Sequence, residues 1–230
     1  MARNAREKLL HMLAEKSFRL GHFTLSSGGT SDYYVDCRLT TLDANGALAT
    51  GETVLDEIAR HGWKADAIGG LTLGADPIVT ATSVISAQRG EPVHGFLVRK
   101  AEKTHGTGQR IEGFRAKPAR VVIVDDVCTT GASTIQAIEA AREYGFEIVG
   151  VLCLVEREEA GGRANVARAA ELAPFVAIFT ANDVRAEHVK QQEQAKAGAP
   201  PIFAVSATCD FCDRPAVTNV PGNRCEVHRP

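Results

Sequence analysis

The sequence lacks the features of membrane proteins, secreted proteins and strongly charged nucleic-acid-binding proteins. No apolar run among its 230 residues is long enough to span a bilayer, and the charged N-terminal segment lacks the apolar core of a secretory signal. The 26 basic and 28 acidic residues leave a formal net charge of −2, which gives no electrostatic reason to bind nucleic acid. We therefore expect a cytoplasmic globular protein.

The sequence does contain a strand, an acid pair and a hydroxyl-rich turn in direct succession, at residues 121–134 (VVIVDDVCTTGAST). Four β-branched apolar residues predict a strand that is buried on both faces, and a helix begins near Ile135. The adjacent carboxylates of Asp125 and Asp126 are expected at the carboxyl end of this strand. The turn that follows consists of Thr129, Thr130, Gly131, Ala132 and Ser133.

This arrangement has the chemistry of a phosphorylated-sugar site. Backbone N–H groups and the helix dipole attract a phosphate to the turn, and the acid pair suits sugar hydroxyls, directly or through a bound Mg²⁺. A nucleotide-triphosphate loop would need Gly-Lys-Ser/Thr and a dinucleotide site would need G-x-G-x-x-G, and neither follows the strand. The motif therefore predicts a ribose 5-phosphate site. The competing interpretation is an ordinary strand–helix turn.

Strands alternate with helices along the chain, which predicts an α/β fold with a mostly parallel sheet flanked by helices. We expect one large domain over residues 1–197, with an N-terminal hood segment at about 18–40. A Gly-Ala-Pro-Pro linker then leads to a small module at 205–230.

Two glycine-rich segments are further candidates for ligand contact. Residues 99–113 (RKAEKTHGTGQRIEG) carry Arg99, Lys100, Lys103 and His105, and their glycines permit hinge motion. Such a cationic mobile lid would neutralise a diphosphate leaving group, although a solvated charged loop is the alternative. Residues 69–77 (GGLTLGADP) would allow close backbone approach to the same diphosphate, or would form a tight connection without a ligand.

The six cysteines divide into two groups. Cys37, Cys128 and Cys153 are isolated in apolar or strand-like surroundings, whereas the other three lie within the last 22 residues. The tail has the spacing Cys-x2-Cys-x12-Cys-x2-His, which is typical of a structural zinc site. The expected ligands are Cys209, Cys212, Cys225 and His228. A tail with chance cysteines is the alternative.

Four segments together resemble orotate phosphoribosyltransferase, a type I phosphoribosyltransferase family. They are FTLSSGGTSDYYVD at 23–36, RKAEKTHG at 99–106, the acid-pair motif at 121–134, and Glu156-Arg157. The resemblance covers roughly residues 5–180 and leaves out the predicted zinc-binding extension, which the family does not need.

The resemblance implies transfer of phosphoribose from 5-phosphoribosyl 1-diphosphate (PRPP) to orotate, giving orotidine 5′-monophosphate and diphosphate, with Mg²⁺ as cofactor. It implies that Asp125, Asp126, Lys103 and His105 act in catalysis. The residues implied in PRPP binding are these four together with Arg99, Lys100, Thr129, Thr130, Gly131, Ala132 and Ser133. The residues implied in orotate binding are Tyr33, Tyr34, Thr129 and Arg157. The family also implies a homodimer in which the lid of one subunit completes the site of the other.

One position departs from the family pattern. Family members often carry a lysine after the Thr-Leu of the first segment, where this chain has Ser26. Two other functions stay open at this point: transfer to a purine or another base, and a PRPP-binding regulator that contacts nucleic acid. For Arg157, the alternative to an orotate ligand is an ion pair with Glu156 or Glu158.

Overall fold

The central element of the computed structural model is a six-stranded sheet in the order β5-β4-β3-β6-β7-β8. The model describes residues 4–24, 29–100, 110–198, 208–209 and 212–215. All neighbouring strands of this sheet pair in parallel except β4 and β5, which are antiparallel. The strands are β3 (Ala67–Leu71), β4 (His94–Val98), β5 (Ile111–Gly113), β6 (Arg120–Cys128), β7 (Glu147–Glu156) and β8 (Phe175–Thr180).

Helices cover both faces of the sheet, as the alternating pattern predicts. Alternate residues of β6 face opposite sides: Val122 and Val124 pack in one apolar cluster with α1, α3, α4 and α7, while Val121 and Ile123 pack in another with α5 and α6. The helices are α1 (Ala5–Met12), α2 (Arg38–Thr41), α3 (Ala44–Arg60), α4 (Asp76–Gln88), α5 (Ala132–Tyr144), α6 (Gly162–Ala170) and α7 (Ala181–Gly198). The α/β fold class is therefore confirmed.

Local sequence signals set several of these boundaries. The Asp43 side chain accepts hydrogen bonds from the backbone N–H groups of Asn45 and Gly46 and so caps α3. Gly145 ends α5 in the left-handed conformation, with φ of 96°.

The segment before α2 forms a separate two-stranded hairpin, which we call the hood. Its strands β1 (Phe18–Thr24) and β2 (Thr30–Val35) are antiparallel. The Phe18 ring stacks on the Tyr33 ring with centroids 5.4 Å apart, and both residues are buried. The hood therefore joins the core through the Tyr33 side of its second strand.

The structure differs from the sequence expectation at three places. The central strand β6 does not end at Val124 but continues to Cys128, because Asp125 and Cys128 pair with Cys153 and Glu156 of β7. The short edge strand β5 and the π-helical turn at Leu13–Ser17 were not predicted, since each is too short for a hydrophobic periodicity to indicate a strand or a helix.

The chain divides into a unit of residues 1–191 and a second unit of residues 192–230. Within the part of the second unit that the structure describes, α7 ends and a two-stranded hairpin pairs β9 (Thr208–Cys209) with β10 (Cys212–Pro215). Among the described residues, no helix combines the length and hydropathy needed to cross a membrane.

Candidate active site

The acid pair lies near the end of β6, with its two carboxylates in different environments. Asp125 is 4% exposed; its carboxylate accepts a 2.7 Å hydrogen bond from the Thr134 hydroxyl and a 3.0 Å bond from the backbone N–H of Asp126. Burial, together with the negative charge of Asp126, raises the pKa of Asp125 to about 7. The Asp126 carboxylate accepts from the backbone N–H of Val127 and lines an open cavity. The pair can therefore receive ligand hydroxyl groups.

The predicted phosphate turn connects β6 to α5 beside this pair. Gly131 has φ of 81°, and a Cβ at this position would lie 2.5 Å from Val166 Cγ2, so a side chain here would be both strained and in collision. The Asn165 side chain donates to the backbone carbonyl of Thr130 and braces the turn from α6. The first N–H groups of α5 have no partners within the helix, so the turn can bind an anion.

A cavity of about 720 Å³ joins the acid pair, the turn and the glycine-rich segment after β3. Gly74 of that segment lies so close to Asp126 that a Cβ would stand 2.4 Å from the carboxylate oxygen. Six of the predicted PRPP-binding residues line this cavity: Lys100, Asp125, Asp126, Thr129, Thr130 and Ser133. The structure therefore brings together in one cavity three segments that are separate in the sequence: the glycine-rich segment after β3, Lys100, and the acid pair with its turn.

Arg157, predicted to contact orotate, lies at the wall of the same cavity and is 7% exposed. Its backbone N–H donates to the carbonyl of Cys128, which ties the end of β7 to the acid strand. Its guanidinium forms an ion pair with Glu159 and with neither of the expected neighbours, because Glu156 pairs with Arg163 and Glu158 accepts from Asn182.

The two tyrosines of the hood have separate roles in the structure. The half-exposed Tyr34 lines the cavity and lies against Phe23, with ring centroids 5.5 Å apart. Tyr33 is buried and does not line that cavity; its ring lies under the Arg157 guanidinium, 4.4 Å from the ring centroid. Tyr34, Thr129 and Arg157 are thus brought together in this cavity, whereas Tyr33 contacts Arg157 from a neighbouring concave surface.

Of the predicted lid, the structure describes only the two ends. Lys100 reaches the cavity, but the Arg99 guanidinium lies 3.6 Å from Glu112 of β5 and does not line it. Lys103 and His105 lie outside the described residues, as does Ser26.

Two cavity residues carried a signal that sequence reasoning did not use. Asp36 and Arg38 follow β2 directly and form a two-bonded ion pair, with N···O distances of 2.8 and 2.9 Å. The hydrogen bond from Arg38 lowers the pKa of Asp36. An Asp-x-Arg spacing at the end of a strand indicates such a pair, but its place beside Asp126 depends on the tertiary fold.

A second concave surface adjoins the cavity, and we call it the apolar groove. It has a volume of about 740 Å³ and shares Arg38 and Leu73 with the cavity. Its exposed apolar side chains are Leu42, Leu48, Leu73 and Val84, which are 71%, 47%, 67% and 52% exposed. The Thr41 hydroxyl and one Asp76 carboxylate oxygen in this wall are buried and have no hydrogen-bond partner among the described residues.

The predicted zinc ligands fall mostly outside the described residues. Of Cys209, Cys212, Cys225 and His228, only the first two lie in described strands, where they are paired partners of the β9–β10 hairpin. Among the described residues, no group of three or more His, Cys, Asp or Glu side chains could hold a metal ion.

Comparisons with known proteins agree with this geometry. The model of the phosphoribosyl transferase domain family matches residues 45–190. The orotate phosphoribosyltransferase of Synechocystis is 41% identical over 181 residues, which are 78% of this chain and 88% of that protein. The Mycobacterium tuberculosis orotate phosphoribosyltransferase in complex with Fe(III) dicitrate superposes with a TM-score of 0.67 at 36% identity, covering 78% of this chain and 98% of that one. The same enzyme in complex with PRPP gives a TM-score of 0.62 at 30% identity, with coverages of 80% and 93%.

Proposed function

The chain belongs to the orotate phosphoribosyltransferases, and we propose from its cavity how it transfers phosphoribose from PRPP to orotate in pyrimidine biosynthesis. The observation that supports this most strongly is the meeting of the acid pair, the phosphate turn and Arg157 in one cavity of about 720 Å³. A phosphorylated sugar with a diphosphate on one side and a carboxylate-bearing base on the other needs these three groups together.

We assign the sugar and its 5-phosphate to the end of β6. Asp125 and Asp126 accept hydrogen bonds from the ribose hydroxyls, and residues 129–133 bind the 5-phosphate through backbone N–H and hydroxyl groups. The negative charge of the pair also favours the cationic sugar that develops as the bond to diphosphate breaks. Catalysis then consists of positioning and charge stabilisation, with no protein nucleophile.

We assign the diphosphate to the segment after β3 and to Lys100. Thr72, Leu73 and Gly74 line the cavity next to Asp126. Because the Thr72 N–H donates to the Val98 carbonyl, the N–H groups of Leu73 and Gly74 are the ones we assign to the leaving group. Lys103 and His105 are proposed to complete its neutralisation from the lid, together with Arg99 after a change in its side-chain position. Because Ser26 brings no charge, these basic residues would supply the positive charge that a lysine there would bring.

Mg²⁺ fits this site as a partner of the substrate. Mg²⁺ prefers oxygen ligands, keeps several waters and is usually held by one or two carboxylates plus substrate phosphates. Asp125 and Asp126 offer that number of carboxylates, and the described residues contain no larger cluster. When bound, Mg²⁺ would neutralise diphosphate charge. The residues that would hold it are Asp125 and Asp126, through the ribose hydroxyls or directly.

The base is assigned to the wall formed by Tyr34, Thr129 and Arg157. A guanidinium donates charge-assisted hydrogen bonds to a carboxylate, so Arg157 favours a base that carries one. The test is a set of steady-state rates with orotate, uracil, xanthine and adenine as acceptors, in the presence of PRPP and Mg²⁺. We expect turnover with orotate alone; equal turnover with uracil or a purine would refute the base assignment.

We further propose that two copies associate through the apolar groove and share their lids. The groove exposes four large apolar side chains, and two buried polar atoms in its wall have no hydrogen-bond partner among the described residues; a partner covers surfaces of this kind. Mixing Lys103→Ala protein with an Asp125→Asn/Asp126→Asn variant tests the sharing. Random exchange should restore about a quarter of wild-type activity, because half of the dimers are mixed and each has one intact site. No recovery after exchange would show that each lid serves its own subunit.

For the tail we propose a structural zinc in residues 205–230, separate from the catalytic domain at 1–197. The support is the ligand spacing and the backbone pairing of Cys209 with Cys212 across a tight hairpin, which suits two sulfur ligands on one ion. Elemental analysis of the full chain should give about one zinc per chain, and Cys209→Ser/Cys212→Ser should remove it. Equal zinc content in both proteins would reject the site.

A further inference from the structure

Four side chains from the hood and the segment after β7 form a hydrogen-bonded group around the Arg157 guanidinium. We call this group the Arg157 cluster; its other members are Ser31, Tyr33 and Glu159. Nε of Arg157 donates to the Tyr33 hydroxyl at 3.0 Å and to Glu159 Oε1 at 3.1 Å, and Nη2 donates to the Ser31 hydroxyl at 2.9 Å. Nη2 also lies 3.1 Å from Glu159 Oε1. One edge of the guanidinium is therefore fully engaged within the protein.

The charges in the cluster are fixed near neutral pH. Burial, and then the hydrogen bond to Glu159, raise the pKa of Tyr33 to about 12, so its hydroxyl stays protonated and donates to Glu159 Oε1 at 2.5 Å. Burial alone would raise the pKa of Glu159, but the hydrogen bonds from Tyr33 and Arg157 outweigh it and hold the pKa below its usual value. Glu159 is thus a carboxylate that accepts from both neighbours at once.

The remaining N–H groups of the guanidinium are at Nη1, for which the described residues provide no partner. Arg157 is the member of the cluster that also lines the active-site cavity. The Tyr33 ring packs under the guanidinium, with its centroid 4.4 Å from the central carbon. The cluster therefore holds the plane of the guanidinium and leaves one end available.

We propose that Tyr33 and Glu159 are positioning residues for base selectivity, which fix Arg157 so that its Nη1 end meets the carboxylate of the base. This inference rests on the proposed assignment of orotate to Arg157. A free arginine side chain samples many rotamers and loses that freedom on binding, whereas a guanidinium that is already held can donate from Nη1 to the carboxylate at little further cost. The Glu159 side chain is 55% exposed, so an isolated ion pair here would contribute little; the two hydrogen bonds that Oε1 accepts, from Tyr33 and from Nε of Arg157, hold it in place.

The test compares the binding of two nucleotides that differ only in the carboxylate, orotidine 5′-monophosphate and uridine 5′-monophosphate, by titration calorimetry on the full chain. The selectivity ratio is the dissociation constant of the second divided by that of the first. Tyr33→Phe and Glu159→Ala should each lower this ratio about tenfold, the value of one hydrogen bond to a charged group. Glu159→Gln should keep part of it, because its amide oxygen can still accept.

Glu158→Ala is the matched control, since this neighbouring carboxylate bonds to Asn182 and not to Arg157. It should leave the ratio unchanged. The KM for PRPP should stay at the wild-type value in Tyr33→Phe and Glu159→Ala, which a general disturbance of the fold would not allow. The double variant should lose little more than either single variant, because both act through one guanidinium.

Two results would overturn the inference. An unchanged ratio in Tyr33→Phe and Glu159→Ala would show that Arg157 needs no positioning. Tighter binding of orotidine 5′-monophosphate by Glu159→Ala would show that Glu159 competes with the ligand carboxylate. Failure of the underlying function is a different outcome: the wild type would then bind both nucleotides equally, or Arg157→Ala would leave the ratio unchanged.

Discussion

Replacement of Asp125 by Asn should stabilise the protein at alkaline pH and have less effect at acid pH. Asp125 is 4% exposed and adjacent to a second carboxylate, and its pKa is raised from 3.8 to about 7. Asn has nearly the same shape and cannot ionise. Its amide can also keep a hydrogen bond with the Thr134 hydroxyl, which lies 2.7 Å from the carboxylate oxygen.

The direction and size of this stability change follow from the pKa of Asp125 in the unfolded and in the folded protein. A group whose pKa is higher in the folded state stabilises the fold fully only below its unfolded pKa, and that stabilisation is lost as the pH rises towards the folded value. A shift of about three units at 1.36 kcal/mol per unit puts the full cost of the ionised carboxylate at about 4 kcal/mol above pH 7. Between pH 5 and pH 8 the free energy of unfolding of Asp125→Asn should therefore rise by about 2 to 3 kcal/mol relative to the wild type.

Urea unfolding at pH 5 and pH 8, at one protein concentration, measures this difference. Asp56→Asn serves as the control, because Asp56 is a surface carboxylate with a 61% exposed side chain that pairs with Arg89. Its free energy of unfolding should change between pH 5 and pH 8 by the same amount as that of the wild type. If the free energy of unfolding of Asp125→Asn also changed by that amount, the carboxylate would not be held in a costly environment and the argument from burial would fail.

Three further predictions concern the site and the groove. Arg157→Lys should lower kcat/KM for orotate by about a hundredfold while the KM for PRPP stays unchanged, since an ammonium cannot replace a planar guanidinium that bonds to Tyr33 and Ser31 and still offers Nη1 to the carboxylate; steady-state kinetics checks this. Because ionised Asp125 is assigned to the ribose hydroxyls, the affinity of the wild type for PRPP should fall about tenfold from pH 8 to pH 6. Asp125→Asn should lack this part of the pH dependence, and calorimetry at both pH values measures the difference. Leu48→Glu places a charge in the apolar groove and should shift the mass measured by light scattering from dimer to monomer; an unchanged mass would place the interface elsewhere.

The parts of the site that are contiguous in sequence were predictable, whereas the contacts between distant segments were not. The acid pair and turn could be predicted because a buried strand, two acids and a hydroxyl-rich turn follow one another within residues 121–134. The helix limits near Asp43 and Gly145 follow from local capping preferences for the same reason.

The Arg157 cluster shows why the rest could not be predicted. Its contact with Tyr33 joins residues 124 positions apart, and the sequence offered only Glu156 and Glu158 as alternative ion-pair partners of Arg157. Which of three nearby carboxylates reaches the guanidinium depends on the helical turn at Glu158–Ala160. Arg99 is the complementary case: its position beside Lys100 indicated a phosphate ligand, but the antiparallel pairing of β4 with β5 brings it to Glu112.

The central claim is that the acid pair and the turn after β6 together bind the phosphorylated sugar. Calorimetric titration of PRPP with Mg²⁺ present, into the wild type and into Asp125→Asn/Asp126→Asn, tests it most directly. We expect saturable binding of PRPP by the wild type, strengthened by Mg²⁺. In the double variant the affinity for PRPP should fall by at least about a hundredfold, as expected for the loss of two charged hydrogen-bond acceptors. Equal binding by both proteins would contradict it.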